Sequence, residues 1–334
     1  MPELPEVETI RRQLAPLVEG RRVLELEILD PRWSRPLAPA EVRQAIEGRR
    51  VERLGRRGKY LLWSFDGDVH LAQHLRMTGA VLADPQPEPA HTRVRMRLGA
   101  RRASPGAAKA GAARSGAARR GVAKAGAAGA AGAAGAADRG GVRLAFDDPR
   151  RFGTGELLVG ADALEAFFAA RLGLEPFDAR FTGEHLRELA RGRRGPIKAL
   201  LLDQHRVAGV GNIYADEALF RAGVHPRRAA GTLTRAQLER VREGVIEALS
   251  AGIDARGASI DDFRDVEGVR GSFQDRFLVH LRAGEPCVHC GAPVVKLVVA
   301  GRGTYVCERC QPRPRLSSRA ARPGARSARR PGPR

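Results

Sequence analysis

Two groups of residues in this chain have types and spacings suited to chemistry. The first is Cys287-Val-His-Cys290, separated by sixteen residues from Cys307-Glu-Arg-Cys310. A C-x2-C pair forms a tight knuckle with both thiolates turned inward, and two knuckles complete a tetrahedral four-sulfur shell. That shell leaves no position for water or substrate, so the expected cofactor is one structural Zn2+. Two disulfides or free thiols are the alternative; a reducing cytosol disfavours disulfides. His289 lies inside a knuckle and is expected to be exposed, since four thiolates already suffice. The second group opens the chain: Pro2, Glu3 and Glu6. Without Met1, Pro2 presents a secondary α-amino group whose reference pKa is ~7.7–8.0, leaving a sizeable neutral, nucleophilic fraction at pH 7. Glu3 and Glu6 share one turn of a predicted helix and can move protons beside that amine.

Each of these residues also has a plainer reading. Pro2 suits a helix start, and Glu3 and Glu6 suit the positive end of the helix dipole. Lys59, in Arg57-Gly58-Lys59-Tyr60-Leu61-Leu62, suits a solvated strand charge, and Arg302, between Gly301 and Gly303, suits a turn.

The surrounding patterns supply elements to position them. Val7, Ile10, Leu14 and Leu17 recur at helical spacing, and Gly20 is placed to stop that helix. From about Val23 to about Leu98 the runs VLELEIL, KYLLWSF, VHLAQHL, AVLA and VRMRL read as strands. RVRMRL and VRLAFDD look like the two arms of one hairpin. After DDPRRFG the chain reads as turning helical, with helices expected over Gly183–Arg191, Gly195–Gln204, Asn212–Ala222 and Thr234–Ala251. Thr234 and Gln237 have capping-box spacing, and Leu238, Val241, Val245 and Leu249 form the expected buried face.

The formal net charge is +20. A charge of that size argues for a polyanionic partner, nucleic acid before an anionic membrane surface. Fifteen of those charges sit in two places: the Ala/Gly-rich stretch 100–140 and the tail from Gln311. The body is therefore mildly basic, and contacts with a polyanion must come from placed residues. The stretch 100–140 has no large apolar side chain beyond Val122 and cannot build a core; it is expected to be a flexible basic arm at a hairpin tip that adds non-specific affinity. No apolar run reaches the ~18 residues of a membrane span. Acids stand near the start where a signal peptide carries lysines, so a cytosolic protein is expected.

The strings PELPEVET, RRGKYLL, HLRMTG, DPRRFG, GVGNIYADEALF, GEPC with CGAP, and GRGTYVC followed by CQPRPR resemble the formamidopyrimidine-DNA glycosylase family, which shares ancestry with the endonuclease VIII proteins. The resemblance runs from about Pro2 to Arg315, outside 100–140 and the tail. It implies an α+β multidomain fold: an N-terminal helix plus β-sandwich (2–170, interrupted by 100–140), a helix–two-turn–helix DNA-binding domain (171–280), a four-cysteine zinc finger (281–312) and a disordered basic tail (313–334). It implies a bacterial glycosylase and AP lyase for 8-oxoguanine and formamidopyrimidines, monomeric, cytoplasmic and associated with the nucleoid, with damaged double-stranded DNA as partner. By the same resemblance Pro2 is the nucleophile, Glu3 the proton donor and Glu6 a supporting acid. Lys59 assists β-elimination; Arg302 assists δ-elimination and holds phosphate. Met77, Arg150 and Phe152 match the residues that fill the gap left by a flipped nucleotide, and His74, His91, Arg194, Lys198 and Asn212 match DNA-contact positions. Gly209 and Gly211 are expected to let backbone amides approach a phosphate at a helix N-terminus. Met77 and Phe152 could equally be core residues on strands.

PELPE at the start, rather than PEGPE, and the Met77/Arg150/Phe152 set favour oxidised purines over the oxidised pyrimidines of the endonuclease VIII branch. A non-catalytic DNA-binding zinc protein on the same scaffold would be expected to lack Pro2, Glu3 or Lys59. A basic RNA- or ribosome-binding zinc protein rests on charge and cysteines alone. The chain departs from the family at Val279-His280-Leu281-Arg282, where Tyr and Gly are common.

Overall fold

The computed structural model describes residues 2–101, 140–260 and 263–314. The arm expected over 100–140 and the tail expected from 313 lie outside the described residues except at their edges.

Helix α1 (Leu4–Val18) buries Val7, Ile10, Leu14 and Val18. Leu17, expected on that face, is 36% exposed; the stripe is centred on the other four and leaves Leu17 at its rim. Glu19 caps the helix, and Gly20 follows with φ +80.

Two four-stranded antiparallel sheets follow. One has the order β1-β6-β7-β5, from β1 (Val23–Ile28), β5 (Ala80–Ala83), β6 (Thr92–Leu98) and β7 (Val142–Asp147). The other has the order β2-β3-β4-β8, from β2 (Val51–Arg57), β3 (Tyr60–Phe65), β4 (Val69–His74) and β8 (Thr154–Val159). Their inner faces meet in one core with Trp33, Leu61, Trp63, Leu71, Val94, Leu144 and Phe146, and α1 packs on the same core. The expected hairpin is present: β6 pairs with β7 from Thr92↔Asp147 to Leu98↔Val142.

Three elements depart from the sequence reading. Helix α2 (Pro39–Ile46) interrupts the strand region; only Val42 and Ile46 are buried, too few to give a periodic signal. Strand β2 carries charges along Val-Glu-Arg-Leu-Gly-Arg-Arg, and its register shifts between Val51 and Arg53. The chain does not turn helical directly after DDPRRFG: β8 comes first, then α3 (Ala161–Ala169). Strand β8 closes the sheet edge with partly buried leucines, so its alternation is weak.

The second core belongs to α4 (Gly183–Ala190), α5 (Ile197–Leu202), α6 (Asn212–Arg221) and α7 (Arg235–Asp254). The expected capping box on α7 is made: Thr234 N donates to Gln237 Oε1 and Gln237 N to Thr234 Oγ1. Leu238, Val241, Val245 and Leu249 are buried as expected. One residue of α1 joins this core: Leu4, fully buried among the helices. Helix α1 thus lies along the sandwich with its tip in the helical region. A two-stranded hairpin, β9 (Val295–Val299) and β10 (Arg302–Val306), completes the described chain.

Candidate active site and nucleic-acid interface

The tip of α1 is fastened before any chemistry is considered. Leu4 N donates to Gly209 O at 3.1 Å. A Cβ on Gly209, whose φ is +88, would lie 2.5 Å from Leu4 Cδ1, and one on Gly211 would lie 2.3 Å from Glu3 Cδ. The G-x-G expected to admit a phosphate is therefore shaped to admit α1. The anion at the start of α6 is the Glu3 carboxylate, whose Oε1 accepts Ile213 N at 3.0 Å. Its Oε2 is buried without a hydrogen-bond partner. A buried carboxylate oxygen left unmade is costly, and here it lies one residue from the buried Pro2.

Glu6 completes the turn. Its Oε2 accepts Glu3 N at 2.8 Å, and its Oε1 accepts Tyr214 Oη and Ala258 N, each at 2.7 Å. Burial and the neighbouring Glu3 charge push the Glu6 carboxyl above the usual range, against the pull of those hydrogen bonds. Tyr214 is buried and stacked on Phe273 at 5.1 Å.

Lys59 follows Gly58, which has φ +58 and turns β2 into β3. The turn is held from the far side by Glu175: its Oε1 accepts Gly58 N at 2.6 Å, and its carboxylate pairs with the Arg56 guanidinium at 2.7–2.9 Å. Lys59 is only 5% exposed. Burial lowers its pKa, the charges of Glu3 and Glu6 raise it, and that of Arg302 lowers it. Lys59 thus lies within reach of the charges of Glu3, Glu6 and Arg302. Arg302 itself is exposed at the start of β10.

Lys198 and Asn212, expected at DNA, also contact the hairpin strand that carries Arg302. Lys198 is fully buried, and its Nζ donates to Asp216 Oδ1 (2.7 Å), Thr304 Oγ1 (2.8 Å) and Gly303 O (3.3 Å). Asn212 Nδ2 donates to the same Gly303 carbonyl at 3.0 Å, while its Oδ1 is buried without a partner. Both side chains hold the strand that carries Arg302.

Met77, Arg150 and Phe152, expected to fill the gap of a flipped nucleotide, are in loops and exposed, not in the core. Met77 is 40% and Phe152 49% exposed, and the Arg150 guanidinium stacks 5.0 Å over the Phe152 ring. Buried Asp148 ties their loops together, accepting Thr78 Oγ1 on one oxygen and Gly153 N at 2.7 Å on the other. His91 joins the same turn through its backbone: its N donates to Asp147 Oδ1 and its O accepts Asp148 N, both at 3.0 Å. His74 ends β4 with its ring edge-on to Tyr60 at 4.6 Å, and its Nδ1 accepts Arg76 N at 2.9 Å. Burial, with help from the Arg76 and Lys59 charges, lowers its pKa to about 3, so the ring is neutral. Arg194 stands apart from these groups, exposed beside a cleft of about 360 Å3 that it lines with Arg193, Pro196 and Arg206.

The four cysteines converge. Their Sγ atoms all lie within 4.8 Å of one another, with Cys287 to Cys310 at 3.8 Å and Cys290 to Cys307 at 3.5 Å. A tetrahedron with ~2.3 Å zinc–sulfur bonds has edges of about 3.8 Å, whereas a disulfide needs ~2.05 Å. The donor set fits zinc and not two disulfides. His289 is exposed, as expected, and lies against Phe220.

Three family models match the chain in order: the formamidopyrimidine-DNA glycosylase N-terminal domain over residues 1–106, the formamidopyrimidine-DNA glycosylase H2TH domain over 172–264, and a zinc finger found in FPG and IleRS over 284–313. A formamidopyrimidine-DNA glycosylase of Symbiobacterium thermophilum is 41% identical, covering 98% of this chain and 95% of the relative. The chain belongs to the formamidopyrimidine-DNA glycosylase family. A second family member, from Chloroflexus aurantiacus, is 40% identical over 93% of this chain and 98% of its own length. The fold matches the crystal structure of the MutM (Fpg) protein of Thermus thermophilus, with TM-score 0.73, 37% identity, and 93% and 98% of the two chains covered. It also matches the Lactococcus lactis Fpg in complex with DNA containing an abasic site, with TM-score 0.76, 30% identity, and 93% and 100% covered. Within the family's zinc finger, Cys287, Cys290, Cys307 and Cys310 hold one structural zinc.

Three buried acids, Asp148, Asp216 and Glu217, and the half-buried Glu175 escaped the sequence reading of this family member. Glu217 is fully buried and accepts the backbone amides of Leu278, Val279 and His280 at 3.0–3.1 Å. Each acid binds partners remote in sequence, so no local pattern marks it. The one available signal was an acid inside a conspicuous string, DPRRFG for Asp148 and GVGNIYADEALF for Asp216 and Glu217.

Proposed function

We propose that this chain is a bifunctional DNA glycosylase and AP lyase of base excision repair that excises oxidised purines, 8-oxoguanine and formamidopyrimidines, from duplex DNA. The observation that carries the reading is the Glu3 carboxylate: buried, anchored on α6 through one oxygen, with the other oxygen unpartnered beside Pro2. A proton donor fixed by one oxygen and free at the other suits general acid–base work at a bound sugar. The relatives' names and the Lactococcus lactis Fpg complex with Fapy-dG-containing DNA support the lesion class.

With Met1 removed, the Pro2 nitrogen attacks the sugar C1′ of a nucleotide flipped out of the duplex. The C1′–N bond breaks and its electron pair leaves with the damaged base, while Glu3 hands a proton to the ring oxygen as the sugar opens. The resulting iminium acidifies the C2′ proton. Its removal, assisted by Lys59, expels the 3′ phosphate; loss of the C4′ proton, assisted by Arg302, expels the 5′ phosphate. Lowering the Lys59 pKa by burial favours a neutral amine able to accept a proton. Glu6 keeps the α1 tip in place.

Met77 and Phe152 enter the vacated base step, and Arg150, stacked on Phe152, faces the orphaned base with its planar fork. His74, His91 and Arg194 contact the DNA backbone; Lys198 and Asn212 reach it through the hairpin they hold. For this work the chain divides into the catalytic sandwich (2–170), the DNA-binding helical domain (171–280) and the zinc finger (281–312). One chain supplies every group named here, which fits action as a monomer, and duplex DNA as substrate fits work on the bacterial nucleoid in the cytoplasm. No helix among the described residues is long and apolar enough to cross a membrane.

Borohydride trapping on a duplex with 8-oxoguanine opposite cytosine tests the reading. A covalent adduct is expected, and it should vanish in Pro2→Gly and in protein that retains Met1. An adduct with a thymine glycol duplex and none with the purine lesion would overturn the substrate assignment.

A further inference from the structure

The strand carrying Arg302 is held more completely than a zinc hairpin requires. Thr304 Oγ1 donates to Arg302 O at 3.0 Å. The Gly303 carbonyl takes both Asn212 Nδ2 and Lys198 Nζ. Tyr305 N donates to Asp216 Oδ2 at 3.3 Å. Three of these four bonds come from α5 and α6, across the boundary between the helical domain and the finger.

Asp216 is the hub. Its side chain is fully buried; Oδ1 accepts Lys198 Nζ, and Oδ2 accepts His280 Nδ1 at 2.9 Å as well as Tyr305 N. A carboxylate only accepts, so His280 Nδ1 carries the proton. The His280 ring is wedged between Phe277 at 5.3 Å and Tyr305 at 5.0 Å, and its backbone amide is fixed by Glu217. His280 falls in the segment where this chain departs from its family's usual Tyr and Gly. A buried ion pair is a poor source of stability, since a well-packed apolar pair of the same volume does as well or better; its attested use is to fix register.

We propose that Asp216, oriented by His280, is a positioning residue for Arg302. Through Lys198, Thr304 and Tyr305 N it sets the register of β10 against α6, and so sets where the Arg302 guanidinium stands when the second phosphate leaves. Neither residue touches the reacting sugar; both act through the hairpin. The inference rests on the reading of Arg302 as the residue that assists δ-elimination.

The test uses the full zinc-loaded protein on a duplex with one preformed abasic site, which bypasses base excision. The readout is the ratio of 3′-phosphate ends (β,δ-elimination) to unsaturated-aldehyde ends (β-elimination only). Asp216→Asn and His280→Ala should each lower that ratio about tenfold, because sub-ångström misplacement of a reacting group is costly. Base excision from an 8-oxoguanine duplex and zinc content should stay at the parent level. His280→Asn, whose amide donates from nearly the place of Nδ1, should restore the ratio. Thr304→Val, of matched shape, serves where Asp216→Asn fails to fold, and should lower the ratio in the same way. Arg302→Ala separates the two readings. If it lowers the ratio while Asp216→Asn, His280→Ala and Thr304→Val do not, the positioning inference is wrong. If Arg302→Ala leaves the ratio unchanged, its assigned role is wrong, and the inference falls with it.

Discussion

The α1 tip and the wedge loops are built on opposite plans. Glu3 and Glu6 are nearly out of solvent, and five hydrogen bonds fix the turn that bears them. Met77, Arg150 and Phe152 are exposed, with the Arg150 guanidinium stacked on Phe152, and a buried carboxylate, Asp148, ties their loops together behind them. Burial is what the chemistry needs: it tunes protonation and strengthens every electrostatic contact. Exposure is what the reading of a duplex needs, because a wedge must be free until a base step opens. The two plans make separable predictions.

The largest effect is expected at Glu3. Glu3→Gln keeps an acceptor for Ile213 N but removes the proton, so single-turnover base excision should fall by about 10²–10⁴-fold while binding to the lesion duplex holds. Gly211→Ala strikes the same site from behind. A Cβ 2.3 Å from Glu3 Cδ has to displace the carboxylate, and excision should drop by about tenfold to a hundredfold with little change in the proportion of zinc-loaded protein. Normal excision in Gly211→Ala would mean that Glu3 does not work from the position seen here.

On the exposed side, Phe152→Ala should slow excision by about tenfold and shift the unfolding free energy by no more than ~0.5 kcal/mol. A large loss of stability would break the contrast, because it would make Phe152 a core residue after all. The smallest effect is at His74, where the plans meet. Its folded pKa is about 3 against an ordinary 6.5. Between those values the unfolded chain binds the extra proton, so this stability is full above pH 6.5 and is lost as pH falls toward 3. Glu6, with its pKa raised from 4.5, acts in the opposite sense: it favours the fold at low pH and loses that contribution as pH rises. Urea midpoints at pH 7 and pH 5 should differ less in His74→Asn than in the parent.

Helical periodicity and motif strings made much of this legible in sequence. The face of α7, its Thr234 cap and the zinc knuckles follow from local spacing, and the β6–β7 hairpin from two strand-like runs on either side of a stretch that cannot build a core. What escaped was set between segments. Leu17 against Val18 depends on the surface α1 meets. The G-x-G of Gly209 and Gly211 suits a phosphate on sequence grounds and takes Leu4 and Glu3 in the fold, because only the tertiary arrangement says which chain end arrives there. Lys198 reads as a basic contact until Asp216 is seen against it. Strand β8 went unread because a sheet edge leaves its leucines half-covered, with no clean alternation.

The β6–β7 hairpin has a practical side. Leu98 and Val142 are cross-strand partners, so the ends of everything between them are held at one ladder spacing whatever the length. By chain statistics alone, joining two paired strands through about ten times the usual four residues costs only ~2 kcal/mol more. None of the side chains placed at the buried cluster or in the wedge lies between those ends. The connection between β6 and β7 is therefore a port for foreign sequence: a fluorophore tag or affinity peptide exchanged for part of 102–139 should leave lesion excision at the parent rate.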